Sequence, residues 1–337
     1  PLVECKKCHR RFRPDKLADA AKCPDCGGEF TERKMFSGMF KTIIGAIEEE
    51  GLAAYLRPET AQAIFADYKN VLDSTGSKIP FGIGQMGKAF RNEITTGNFI
   101  FRTLEFEQME IEYFIAPDSD WAKLFEGWVE YIYGFADIVG LPRTDFFNHE
   151  IPDEERAFYS KRTIDIEYQF PWGLDELWAI AYRTDYDLVA HQTASGKSLE
   201  YFDDETNKKY VPHVIEPTFG VDRTILAILA TAYNEEKMAN GEMRTVLKLN
   251  SNVAPYKVAV FPLMKNKPEL VAKAREIYAD LKKEFSVAFD DNGNVGKRYR
   301  RQDEIGTPYC VTVDFDSLEK NDVTVRDRDT MGQERVK

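Results

Sequence analysis

The stretch Phe81–Glu112, FGIGQMGKAFRNEITTGNFIFRTLEFEQMEIE, decides the fold. Two runs of strand-forming residues flank the short polar break Thr95-Thr96-Gly97-Asn98, the pattern of a long antiparallel hairpin. Side chains of a strand alternate between faces. Gln85, Ala89, Arg91 and Glu93 therefore share one face of the first run, and Arg102, Leu104, Phe106, Gln108, Glu110 and Glu112 share one face of the second. Charge on a covered sheet face is costly unless it is paired or bound to a ligand. The hairpin is thus expected to be a platform for a ligand with anionic, aromatic and cationic parts.

The rest of the chain sets the frame for that platform. Its 337 residues exceed one small core, so two or more domains are expected. With 43% hydrophobic and 13% aromatic residues it suits a globular protein. No run is apolar enough for a membrane-spanning helix. No signal-peptide pattern opens the chain, which starts at Pro1 and reads as cut on that side. Four of the five cysteines stand in two CxxC pairs rather than a secreted disulfide framework, which favours the reducing cytoplasm. The net charge of −12 argues against a generic nucleic-acid coat but leaves room for a nucleic-acid partner on local basic patches.

Three parts are expected along the chain. Residues 1–34 carry Cys5, Cys8, Cys23 and Cys26 at the spacing of a zinc-ribbon knuckle. The alternative is four buried thiols without metal. Residues 35–240 form the large domain. There Arg57-Pro58-Glu59-Thr60 opens a helix with Pro58 in its first turn, and residues 116–163 read as an insertion. Asn240-Gly241 marks a linker. Residues 252–337 alternate strands with helices, which predicts a small α/β domain with a mostly parallel sheet.

Phe90-Arg91-Asn92-Glu93 resembles motif 2 of the class II aminoacyl-tRNA synthetases, and Gly220-Val221-Asp222-Arg223 resembles motif 3. Arg57-Pro58-Glu59-Thr60, Phe106-Glu107-Gln108-Met109-Glu110 and Glu216-Pro217-Thr218-Phe219-Gly220 narrow the resemblance to the homodimeric glycyl-tRNA synthetases. One such match is weak; the ordered set is specific and covers nearly the whole chain. The resemblance implies an α+β catalytic domain with an antiparallel sheet, followed by an α/β anticodon-binding domain. It also implies a homodimer with glycine, ATP, Mg²⁺ and tRNA(Gly) as ligands.

The implied roles follow physical lines. Charge grows on the α-phosphate as a carboxylate attacks it, and fixed cations aimed there lower the barrier. The resemblance puts Arg91 and Arg223 in that catalytic role. It assigns Asn92, Glu93, Phe101, Arg102, Phe106, Glu176, Leu177 and Gly220 to ATP or its metal. It implies Glu59, Gln108, Glu110, Arg183, Glu216 and Thr218 for glycine. Converging carboxylates repel one another and hold protons, and an incoming ammonium relieves them. Glycine selection is then steric, because every competitor brings at least a Cβ. Arg298, Arg300 and Arg301, with Tyr299 among them, suit RNA phosphates and an unpaired base, or else a solvated helix face.

The chain also departs from the pattern. Motif 1, which builds the class II dimer interface, is expected before Pro1. Gly97 stands in the hairpin loop where an arginine is common, and Thr218-Phe219 replaces the usual Ser-Ala or Ser-Phe. Two other readings are a synthetase-derived binding subunit without catalysis and a class II enzyme for alanine or serine. Loss of Arg91, Glu93 or Arg223 would favour the first, and all three are present.

Overall fold

The structure is a computed structural model that describes residues 1–337 apart from Asp15, Lys16, Ala18, Ala20, Ala239 and the side chain of Glu48. The expected segment 1–34 is therefore described around four of its positions. Two compact units emerge. One comprises Pro1–Glu130, Phe146–Gln169 and Leu174–Leu226; the other comprises Tyr131–Asp145, Phe170–Gly173 and Ala227–Lys337.

A six-stranded antiparallel sheet forms the centre of the first unit. Its strands are β1 (Phe81–Phe90), β2 (Glu105–Ile115), β3 (Phe146–Glu150), β4 (Arg162–Phe170), β5 (Gly173–Thr184) and β6 (His213–Gly220). They lie in the order β1-β2-β6-β5-β4-β3. Strand β3 comes from the segment 116–163, which thus supplies an edge of the main sheet as well as the helix α2 described below. Pro217 sits in the interior strand β6, paired with Ile180 of β5 and unable to donate to the ladder.

Helix α1 (Ala61–Thr75) covers one face of this sheet. Ile64, Phe65, Tyr68 and Leu72 recur at helical spacing and pack with Phe114, Leu188 and Val214. Burial of each such large apolar side chain contributes about 1.5–3 kcal/mol. Thr60 is the N-cap residue, so Pro58 and Glu59 precede the helix rather than occupy its first turn. The Thr60 side chain does not cap; it reaches Glu110 instead. Helices α2 (Trp121–Val139), α3 (Tyr186–Ser195) and α4 (Val221–Ala232) follow, α4 leaving directly from the end of β6.

The second unit is built on a five-stranded sheet of β7 (Val258–Pro262), β8 (Val287–Phe289), β9 (Tyr309–Val313), β10 (Val323–Asp327) and β11 (Gln333–Val336). The order is β8-β7-β9-β10-β11. Strand β7 pairs in parallel with β8 and β9, whereas β9-β10 and β10-β11 are antiparallel. The expected mostly parallel sheet is therefore mixed. The crossovers through α5 (Pro268–Leu281) and α6 (Val295–Ile305) produce the parallel half, and the short returns after β9 and β10 produce the antiparallel half. Asn240-Gly241 is not a linker. It lies at the turn of a hairpin pairing Tyr233–Lys237 with Met243–Leu247, whose charged residues hid the strand pattern.

Candidate active site

Strand alternation on β2 aims Phe106, Gln108, Glu110 and Glu112 at the covered face, and all but Phe106 are buried. The register sets Ala89 opposite Phe106 and Gln85 opposite Glu110. Beyond the strand ends the expected hairpin changes character. Arg91, Asn92, Glu93, Phe101 and Arg102 lie in the connection 91–104, outside β1 and β2. Asn98 and Phe99 take positive φ values of 53° and 56°, which a ladder cannot accommodate. Asn92 bonds to an earlier segment, N–H to Gly38 O at 2.8 Å and Nδ2 to Ser37 O at 3.0 Å.

These pieces enclose one cleft, walled by Arg91, Glu93, Phe101, Arg102, Phe106, Glu176, Leu177, Gly220 and Arg223, together with Glu107 and Asp222. Arg91 donates Nε to Pro58 O at 3.1 Å, and its guanidinium lies 5.3 Å from the Phe106 ring centre. Arg102 and Glu93 approach to 3.8 Å. Arg223 projects from the first turn of α4, where free backbone N–H groups and the helix dipole already favour an anion. It is held by Phe101 O at 3.1 Å and Glu176 O at 2.7 Å, with the Phe101 ring 4.2 Å away. Cations, a helix start and aromatic faces thus share one opening, a combination suited to a nucleotide.

An acid cluster adjoins the cleft through Gln108 and Thr218, which line it. Thr218 stands opposite Glu110 across β2 and β6. Gln108 donates Nε2 to Glu110 Oε1 at 2.6 Å, and the Thr60 N–H and hydroxyl both donate to Glu110 Oε2. Arg183 is committed on both edges. It donates Nη1 to both oxygens of Glu216 at 2.8 and 2.9 Å, and Nε and Nη2 to Asp187 at 2.7 and 2.8 Å. Thr184 turns the chain from β5 into α3 at a φ of 58°, rare for a β-branched residue, and so brings Asp187 back to Arg183. Glu112 is fully buried, and neither of its oxygens has a hydrogen-bond partner among the described residues.

One arginine here faces four buried acids, Glu110, Glu112, Asp187 and Glu216. Burial pushes the Glu216 carboxyl up to about 7 against the pull of Arg183. Burial and the neighbouring Glu216 charge hold Glu112 well above the usual carboxylate range. Glu110 is raised as well, chiefly by burial. The nook is short of positive charge and would gain from a cationic ligand.

The chain matches the family described as tRNA synthetase class II core domain (G, H, P, S and T) over residues 40–232. It matches that of the anticodon binding domain over residues 257–337. It is 49% identical over 367 residues to the glycine–tRNA ligase of Lachnospira eligens, covering 100% of this chain and 79% of the relative. It is 50% identical over 362 residues to that of Thermobifida fusca, covering 100% and 78%. The chain belongs to the glycine–tRNA ligase family. The Clostridium acetobutylicum glycine–tRNA ligase agrees, at 49% identity over 366 residues.

Within this glycine–tRNA ligase fold the residues expected from the sequence divide. Those expected at ATP share the cleft, except Asn92, which faces a second one. Those expected at glycine spread from the cleft (Gln108, Thr218) through the buried Glu110 and Glu216 to Glu59 and Arg183, which line a further opening beside α3. Sequence reasoning missed Asp187 and left Glu112 outside the site. Period-2 spacing already put Glu112 on the face of Glu110, whereas Asp187 carried no signal beyond its i+4 distance from Arg183.

Of the three C-terminal arginines expected at RNA, Arg298 is turned inward. Arg298 is 1% exposed and spends its guanidinium on the carbonyls of Pro262, Asp291, Asn292 and Gly293. Arg301 pairs with Asp290 and Arg300 with Asp303. Helix α6 starts against the loop that follows β8, so its first arginine fills that loop rather than solvent. At the other end of the chain the four thiols of Cys5, Cys8, Cys23 and Cys26 lie within 4.8 Å of one another. Tetrahedral zinc at about 2.3 Å from each sulfur sets them about 3.8 Å apart, so this donor set fits the ion.

Proposed function

We propose that this protein joins glycine to tRNA(Gly) in two steps at the cleft. The glycine carboxylate attacks the α-phosphorus of ATP, a C–O–P bond forms, and pyrophosphate leaves with the electrons of the broken bond. A ribose hydroxyl at the tRNA 3′ end then attacks the adenylate carbonyl. AMP leaves, and the hydroxyl proton passes to solvent or phosphate. No side-chain nucleophile takes part. Arg91 and Arg223 face the phosphates as charge develops, Phe106 or Phe101 stacks the base, and Glu93 accepts from it. Positioning and preset electrostatics supply the rate.

Carboxylates of Glu176 and Glu107 at the cleft rim suit Mg²⁺, which is held by one or two carboxylates and substrate phosphates. Bound there, the ion would offset phosphate charge. Zinc on the four thiols would fix the fold of the N-terminal segment. The exposed apolar residues Ile44, Leu52 and Tyr55, on a hairpin that pairs Lys41–Ile44 with Leu52–Tyr55, support a second copy of the chain as partner, to be read by sedimentation.

One observation carries glycine over any other substrate. The nook beside the nucleotide cleft holds a surplus of buried carboxylates with an unpartnered Glu112, which calls for an ammonium. Thr218 and Gln108 stand at its entry, where a Cβ on the substrate would meet them. ATP–pyrophosphate exchange with glycine, alanine and serine is the test. Glycine alone should support exchange, and Arg91→Ala should reduce it at least a hundredfold with the fold intact. Faster exchange with alanine or serine overturns the specificity. Unaltered exchange in Arg91→Ala removes that residue from the mechanism.

A further inference from the structure

Of the residues expected at glycine, Glu59 alone stands outside the sheet, on the turn before α1. Strand residues are fixed by their ladders, whereas Glu59 has one side-chain hydrogen bond among the described residues. Gln62, in the first turn of α1, donates Nε2 to Glu59 Oε1 at 2.9 Å. The same nitrogen donates to Asp187 Oδ1 at 3.0 Å. The amide oxygen of Gln62 accepts from His191 Nε2 on α3 at 2.8 Å, and the His191 ring lies 6.2 Å from that of Phe65. These partners permit one amide orientation, because the flipped amide would turn its oxygen on two carboxylates. Asp187 carries the chain inward. Both of its oxygens also accept from Arg183, whose remaining edge holds Glu216. A polar relay thus runs from His191 through Gln62 to Glu59 on one branch and to Asp187, Arg183 and Glu216 on the other.

We infer that Gln62 is a positioning residue for the substrate amine, holding Glu59 where the ammonium arrives, and that His191 fixes Gln62 for this task. The inference rests on the function proposed above and deepens it. A glutamate on a turn has rotamers to lose, and that loss weakens binding unless it is made beforehand. Gln62 makes it beforehand. By occupying one oxygen of Glu59 it sets the direction of the other. By bridging to Asp187 it ties Glu59 to the same guanidinium that orients Glu216, so acids from a turn and from a strand keep one separation. A neutral donor suits this place, because Glu59 and Asp187 would repel each other across an empty gap. Gln62 itself is exposed, so replacing it removes no core packing.

The test is ATP–pyrophosphate exchange by the full chain, with glycine and ATP varied separately. Gln62→Leu should raise the KM for glycine about tenfold, with the KM for ATP and kcat within about twofold of the parent and the urea midpoint close to it. His191→Phe keeps a ring against Phe65 but loses the donor, and should raise the glycine KM about threefold. Combined with Gln62→Leu it should add little, because both act through one amide. Gln62→Glu keeps the length and faces Glu59, Asp187 and His191 with a carboxylate. Its glycine KM, taken relative to the parent at each pH, should fall as pH is lowered, since a protonated carboxyl can donate again. An unchanged glycine KM in Gln62→Leu overturns the positioning role, as does an equal rise in the KM for ATP or a Gln62→Glu ratio that ignores pH. Absence of glycine-dependent exchange in the parent would remove the proposed reaction and this role with it. Exchange in a parent whose glycine KM Gln62→Leu leaves unaltered would remove the role alone.

Discussion

Two buried ion clusters in this molecule use the same residue types in opposite proportion. In the first unit one arginine, Arg183, serves Asp187 and Glu216 with Glu110 and Glu112 close by. In the second, one carboxylate, Asp303, serves Arg326 at 2.8 Å, Arg300 at 2.8 Å and Arg244 at 3.8 Å. A surplus of arginines is absorbed in part. Arg244 donates Nη2 to Arg328 O and lies 3.3 Å from Glu236, and Arg328 donates to Leu249 O and Gly306 O, although Arg244 Nε and Nη1 have no hydrogen-bond partner among the described residues. A surplus of carboxylates has no such outlet. They need N–H or O–H donors, and an interior strand has already spent its own on the ladder. Glu112 is what remains, a buried acid with no donor to accept from among the described residues. Carbonyl oxygens thus take much of the cationic excess in the second unit, whereas the acidic excess of the first has fewer donors to draw on.

The largest effect should come from removing the single cation of the acidic cluster. Arg183→Ala strands Asp187 and Glu216 together and should cost about 4–5 kcal/mol, read as a fall in the urea midpoint. Asp303→Ala should cost about 3 kcal/mol by unpairing the arginines around it, with pyrophosphate exchange per folded molecule unchanged. If it abolishes exchange in molecules that remain folded, the contrast between ligand site and closed core is lost.

Glu112→Gln should act in the other direction. A carboxyl raised by folding keeps its proton in the native state, whereas the unfolded chain loses it near the ordinary value. Its contribution is therefore complete at acid pH and fades as pH rises through the raised value. The glutamine variant escapes that loss. It should gain on the parent by about 1.4 kcal/mol per pH unit above the ordinary carboxylate range, until the native acid ionises. Paired melting curves at pH 5 and pH 8 would read it. A gap that does not widen with pH means that Glu112 is ionised in the fold.

Much of this was legible in the sequence because it was local. Period-2 alternation put Phe106, Gln108, Glu110 and Glu112 on one face, and the step from β6 into α4 set Arg223 at a helix start. Partnership was not legible, because it is decided at long range. The basic run at α6 looks like a surface patch until its neighbours appear, and then Arg298 proves to be wrapped in carbonyls from the loop before it and from Pro262. Arg183 looked available for a substrate carboxylate until Asp187, four residues on but around a turn, took its other edge. The turn itself was hidden, because nothing in a threonine announces a left-handed backbone.

That threonine has a practical side. Thr184 holds a conformation that an asparagine tolerates far better, at a difference of about 1 kcal/mol. Thr184→Asn should raise the melting temperature by about one to two degrees from a single change at a half-buried position. Selection for catalysis rather than for heat resistance would keep the less comfortable residue there.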